Sequence, residues 1–223
     1  MKAKVLCLHG YSMNSRWLRE WCTPLEQMLA DEAIFLYPQG PIECPEEEVR
    51  ATTARFNMPM PESRIGAGLN WCWYRASEDK PPIYHGIDET LAALAALFER
   101  EGPIAGVLGW SQGAVMAAIL AALMEHDSAS PFHSDWAVLC GGFLPGDLRY
   151  RRYFDAPLSL PTLHVLGAKE SDFMKQQGTR LLNSFAASER LDTPVGHIMP
   201  VKHRQSMEFI AAWMRRRLLL QRA

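Results

Sequence analysis

The chemistry in this chain centres on Ser111, which stands in Gly109-Trp110-Ser111-Gln112-Gly113. A G-x-S-x-G stretch can carry a serine on a tight turn from strand to helix, because its glycines let the backbone approach neighbouring elements closely. Five-residue windows of this kind also arise by chance, so the flanks decide. Here the apolar run Ile104 to Leu108 precedes the motif and a small-residue helix from Ala114 follows it. That is the context a nucleophilic serine requires.

A serine hydroxyl is too weak an acid to attack a carbonyl unaided, so a general base must lie within hydrogen-bond reach and be oriented by a third group. Downstream of Ser111 are His126, His133, His164, His197 and His203. His164 lies inside the apolar run TLHVL and reads as a packed core residue, whereas His126 and His133 fall in a polar stretch that reads as a solvated loop. His203 belongs to the start of the last helix. His197, in Pro194-Val195-Gly196-His197-Ile198-Met199-Pro200, lies after the last predicted strand region and just before that helix. It is the expected base.

The third group should be an acid between the serine and the histidine in chain order. Glu170 and Asp172 both follow the strand that ends at Leu166. Asp172 stands just before a predicted helix, where an aspartate makes a natural N-cap. This tilts the orienting role to Glu170 and keeps Asp172 as the alternative. Negative charge on a tetrahedral intermediate needs donors fixed in advance, and the usual sources are the amide after the nucleophile and one from the loop after the first strand. Those are the amides of Gln112 and of Tyr11, the latter in His9-Gly10-Tyr11-Ser12.

The elements that must hold these groups are legible as alternating runs. Strands are expected at Lys4 to Leu8, Ala33 to Tyr37, Ile104 to Leu108, Trp136 to Cys140 and Thr162 to Leu166. Helices are expected at Trp17 to Leu29, Ile87 to Arg100, from Ala114, at Phe173 to Phe185 and at Arg204 to Leu220. Strand and helix in alternation imply an α/β fold with a mostly parallel central sheet covered by helices on both faces. Between Pro38 and Pro82 the chain also carries Pro41, Pro45, Pro59, Pro61 and Pro81, so this insertion is expected to be mostly loop. It holds Phe56, Met58, Met60, Leu69, Trp71, Trp73 and Tyr74. Loops above strand ends line the site in such folds, so Trp73 and Trp110 are the candidate substrate contacts and an apolar acyl group the expected guest. Packing against the sheet is the competing role for these aromatics.

The 223 residues suit one domain. Lys and Arg number 23 against 25 Asp and Glu, a net charge of −2, leaving no broad positive field for nucleic acid. An apolar fraction of 48% with nine Phe, seven Trp and six Tyr excludes a disordered chain. No export signal and no membrane span are expected. Cys7, Cys22, Cys44, Cys72 and Cys140 are scattered without a C-x-x-C pair, which argues against a disulfide framework or zinc site and for a reducing, cytoplasmic setting. No metal or organic cofactor is called for. The basic C-terminal segment MRRRLLLQR raises membrane binding as a minor alternative to a solvated helix end.

Taken with VLCLHGYSMNS, NWCWY, GIDETLAALAALFEREGPIAGVLGWSQGAVMAA, CGGFLPG, LPTLHVLGAKES and GHIMP, the chain resembles the FSH-type serine hydrolases of the α/β-hydrolase superfamily over nearly its whole length. That family includes fungal polyketide-releasing thioesterases and a human tumour-suppressor-candidate hydrolase. The resemblance implies the α/β-hydrolase fold, Ser111 as nucleophile, His197 as base, and an acid at the position of Glu170. The family's usual residue there is aspartate, and Phe173-Met174 stands where it usually has Val-Pro. The expected reaction is hydrolysis of carboxylic esters or thioesters through an acyl-enzyme. A non-catalytic binding module on the same scaffold is the alternative, against which an intact serine, acid and histidine set argues.

Overall fold

The computed structural model describes residues 2–55 and 60–220. In chain order it contains β1 (Ala3–Leu8), α1 (Ser15–Met28), β2 (Ala33–Leu36), β3 (Ile42–Glu43), α2 (Glu46–Arg55), β4 (Trp71–Cys72), β5 (Arg75–Ala76), β6 (Tyr84–His85) and α3 (Ile87–Glu101). The second half contains β7 (Ile104–Trp110), α4 (Gln112–His126), β8 (Ala137–Cys140), α5 (Leu148–Arg151), β9 (Thr162–Gly167), α6 (Asp172–Leu182), β10 (Ser188–Thr193) and α7 (Arg204–Leu220).

Six strands form one sheet in the order β10-β9-β8-β7-β1-β2, every neighbouring pair parallel. Strands β7, β8 and β9 are buried along their whole length, as apolar strands covered on both faces must be. In β1 the side chains divide by the two-residue period: Val5 and Cys7 face α1 and α7, while Leu6 and Leu8 face α3 and α4. Helices therefore cover both faces, as the alternating sequence pattern implies.

The register aligns the carboxyl ends of the strands. Leu8 pairs with Gly109, Trp110 with Cys140, Cys140 with Val165 and Gly167 with Thr193. The next residues of each strand, His9 to Tyr11, Ser111, Gly141, Ala168 to Glu170 and Pro194 to His197, thus emerge at one edge of the sheet. Strand order reverses between β1 and β7, and ligands of open α/β sheets bind outside such a switch point.

Among its described residues the insertion is mostly loop, as expected, with helix α2, the antiparallel pair β3 with β4, and β5, which pairs with β6 just past Pro82. The structure departs from expectation in two places. Strand β10 reads SERLDT and has no apolar run to announce it; it is an edge strand, whose outer side chains can be polar. Asp172 is not the cap of α6. Ser171 is, its Oγ accepting from the Met174 amide, and Asp172 is the first helical residue, its side chain exposed and paired with Lys175 at 3.7 Å.

Candidate active site

Ser111 joins β7 to α4 at φ 53° and ψ −114°, a backbone conformation that a residue bearing a Cβ rarely adopts. Its amide donates to the Cys140 carbonyl at 2.8 Å, and its carbonyl accepts from Ala114 and Val115. The turn closes only because the flanking residues are glycines. A Cβ on Gly113 would overlap the Leu8 carbonyl oxygen, and one on Gly109 the carbonyl of Gly113. The sequence pattern is thus a packing requirement: the N-terminus of α4 is pressed against β1 and β7.

The Ser111 Oγ lies 2.9 Å from His197 Nε2, and His197 Nδ1 lies 2.9 Å from Glu170 Oε1. A carboxylate can only accept, so Nδ1 carries the hydrogen and Nε2 presents its lone pair to the Ser111 hydroxyl. Glu170 is 7% exposed. Glu170 and His197 come together because the exits of β9 and β10 are zipped, Ala168 donating to Thr193 and Lys169 to Val195 at 2.8 and 2.9 Å. Asp172 points into solvent and is not brought to His197. Gly141, which the sequence reading passed over, forms the remaining wall. Its φ is +59°, and a Cβ there would stand 2.9 Å from His197 Cε1 and 3.4 Å from Glu170 Oε1. A double glycine after a buried strand was the available signal.

Tyr11 and Gln112 emerge from β1 and β7 on either side of the switch point. Gln112 opens α4, where no preceding turn takes its amide, and among the described residues no hydrogen bond engages the Tyr11 amide. The Tyr11 hydroxyl donates to Glu48 at 2.9 Å. His9 supports this loop from within: Nδ1 donates to the Gly10 carbonyl at 2.8 Å, while Nε2 accepts from the Gly40 amide at 2.9 Å. Burial pushes its imidazole pKa down to about 4, keeping it neutral.

The two tryptophans expected at the substrate are buried. Trp73 is 1% exposed and its indole N–H donates to the His9 carbonyl at 2.7 Å. Trp110 is 3% exposed, with its ring centroid 5.3 Å from that of His197 and 5.0 Å from that of Trp21. Of the other insertion residues, Tyr74 stacks on Tyr84 at 3.8 Å inside the core and Leu69 is exposed. Phe56 and Met58 lie outside the described residues.

Of the remaining histidines downstream of Ser111, His133 is exposed and the other three make contacts of their own. His164 is buried in β9 beside Thr162 Oγ1 at 3.0 Å, and burial lowers its pKa to about 3. His126 stacks on Tyr153, and His203 Nδ1 accepts from the Ser206 amide at the start of α7. Three arginines of the basic segment are tied down, Arg215 donating to Glu32 and to the Met28 carbonyl while Arg216 and Arg217 pair with Glu189, and Arg222 lies outside the described residues. Among the described residues no helix is long and apolar enough to cross a membrane, and no cluster of side chains has the makings of a metal site.

Known proteins resemble this chain in sequence and in fold. Esterase OVCA2 of Danio rerio is 27% identical over 217 residues, covering 92% of this chain and 94% of that protein. Esterase OVCA2 of Homo sapiens is 28% identical, covering 93% of each. Among solved structures, acyl-protein thioesterase 2 of Zea mays superimposes with a TM-score of 0.68 over 97% of this chain and 94% of that one, at 19% identity. The fold is thus that of the α/β-hydrolases. Residues 1–209 match the serine hydrolase (FSH1) family, and the chain belongs to that family.

Proposed function

We propose that the protein is an esterase or thioesterase acting on small carboxylic esters of apolar acyl groups, with Ser111, His197 and Glu170 as its catalytic residues. The observation that carries this reading is the unbroken hydrogen-bonded series Ser111 Oγ, His197, Glu170 on a strained strand-to-helix turn. The names of the similar proteins, esterases and a thioesterase, point to the same reaction class.

In this mechanism the Ser111 Oγ bonds to the carbonyl carbon while its proton passes to His197 Nε2, and Glu170 stabilises the imidazolium and holds its tautomer. The carbonyl oxygen becomes an oxyanion, held by the Tyr11 and Gln112 amides, with the N-terminus of α4 adding favourable potential. As the intermediate collapses, the bond to the alcohol or thiol breaks and the leaving group takes the proton from His197. Water then attacks the acyl-serine with His197 again as base, releasing the carboxylic acid and restoring Ser111. No step draws on a metal or organic cofactor. The five buried free thiols fit a reducing compartment.

The test is hydrolysis of a p-nitrophenyl ester series from acetate to decanoate beside the matched acyl-coenzyme A thioesters, for the parent and Ser111→Ala. Turnover and fluorophosphonate labelling that both vanish with Ser111 support the reading, and the preferred leaving group separates esterase from thioesterase. A folded parent inert to every ester and thioester overturns it.

A further inference from the structure

The two amides proposed to hold the oxyanion sit on separate loops, one after β1 and one at the start of α4. Their relative placement must be set by something that touches both. The segment Asn70 to Tyr74 does so. Toward the β1 loop, the Asn70 side chain donates to the Ser12 carbonyl at 2.8 Å, the Trp71 amide to the Met13 carbonyl at 2.8 Å, and the Trp73 indole to the His9 carbonyl at 2.7 Å. Toward the serine turn, the Trp73 amide donates to Gln112 Oε1 at 2.9 Å and Gln112 Nε2 donates to the Tyr74 carbonyl at 2.7 Å. The Thr90 hydroxyl on α3 donates to the Trp73 carbonyl and anchors the segment from behind.

These bonds are well insulated. Asn70 is fully buried, and Trp73 and Gln112 are 1% and 5% exposed, so water does not replace a bond that is lost. They also bracket strain. Ser12, next to Tyr11, has φ 53°, and it is held there by Asn70 from one side and by the Met13 pairing with Trp71 from the other. A left-handed non-glycine residue persists only where its surroundings over-determine it.

We propose that Asn70 to Tyr74 is a strap that sets the spacing of the oxyanion-binding amides, with Trp73 and the Gln112 side chain as its positioning residues. Neither side chain touches substrate; each acts through the main chain it holds. The inference rests on the hydrolase reading above. It assigns the polar edge of Trp73 a role in the rate of acyl transfer, beyond filling the core.

Two variants test it. Trp73→Phe keeps an aromatic ring in the core and removes the N–H that holds His9, while Gln112→Met removes both side-chain bonds and leaves the main-chain amide. Thr162→Val, which loses a buried partner of His164 on β9, controls for general loss of stability. Each is assayed for kcat and KM on the best p-nitrophenyl ester, and for Ki of the trifluoromethyl ketone with the same acyl chain, whose adduct with Ser111 carries an oxyanion. Displacing a donor is expected to lower kcat about 10- to 100-fold in Trp73→Phe and Gln112→Met. KM should stay within about threefold, with Ki rising in proportion to the loss of kcat/KM. Thr162→Val keeps parental kcat. If either strap variant folds yet keeps kcat and Ki within about threefold of the parent, or loses rate only as the control does, the strap is overturned. A parent without Ser111-dependent turnover overturns the hydrolase reading itself, and the strap falls with it.

Discussion

Gly141 stands against His197 so closely that a Cβ on the glycine would lie 2.9 Å from Cε1 of the imidazole. The backbone after β8 is therefore a wall against the Cε1 edge of the ring, between the two nitrogens, and it limits how the ring can shift between Ser111 and Glu170. Its φ of +59° makes the position doubly restrictive, since a left-handed conformation costs a residue with a Cβ about 1–2 kcal/mol. Gly141→Ala is expected to lower kcat/KM at least about 100-fold through displacement of His197. It should also slow fluorophosphonate labelling of Ser111 while leaving a cooperative thermal transition. Labelling at the parental rate would show that the ring tolerates the methyl group.

Glu170 and Asp172 are two residues apart but differ in kind, one buried against His197 and one fully in solvent. Glu170→Gln removes the charge that stabilises the imidazolium and adds an N–H that favours the wrong His197 tautomer, and kcat should fall about 10³- to 10⁴-fold. Asp172→Asn should leave kcat within about twofold, since an exposed pair with Lys175 contributes little. Steady-state kinetics on one ester decides both, and a large loss in Asp172→Asn would transfer the orienting role to that residue.

The Ser111 conformation stores strain in the proposed nucleophile. Glycine adopts this φ without penalty, so Ser111→Gly should be inactive yet more stable than Ser111→Ala by about 1 kcal/mol. For a domain of this size that raises the thermal midpoint about 2–4 °C. Calorimetry on the pair checks it; equal midpoints would mean that the turn carries no strain.

His9 and His164 predict how the fold responds to acid. Burial lowers their pKa values to about 4 and about 3 from the 6.5 of a solvated imidazole. Below pH about 6.5 the unfolded chain binds protons that the native state refuses, so stability falls as pH falls. Each histidine contributes a slope of about 1.4 kcal/mol per pH unit at most. The loss from His9 runs down to about pH 4 and that from His164 to about pH 3. His164→Gln can still pair with Thr162 but does not titrate. Urea denaturation between pH 6 and 4 should show a slope smaller by up to about 1.4 kcal/mol per unit in this variant. An unchanged slope would mean that His164 is protonated in the native protein.

The local rules of the chain determined most of the frame. Apolar runs such as VLCL and IAGVL read as buried strands and are, the glycines around Ser111 read in that context as a close turn, and the helix from Arg204 to Leu220 appears with its expected bounds. Those features depend on neighbours within a few residues. What the tertiary structure decided depends on distant ones. Glu170 turns inward and Asp172 outward because β10, a polar strand without an apolar run of its own, zips its exit loop to that of β9. Trp73, a candidate substrate contact in the sequence, is buried with its indole N–H on the His9 carbonyl, 64 residues earlier, where water does not reach. The sequence carries the residue types for these contacts. Their pairing follows only once strand order and register bring the loops to one edge of the sheet, where burial makes each unsatisfied polar group costly and thereby selects a partner.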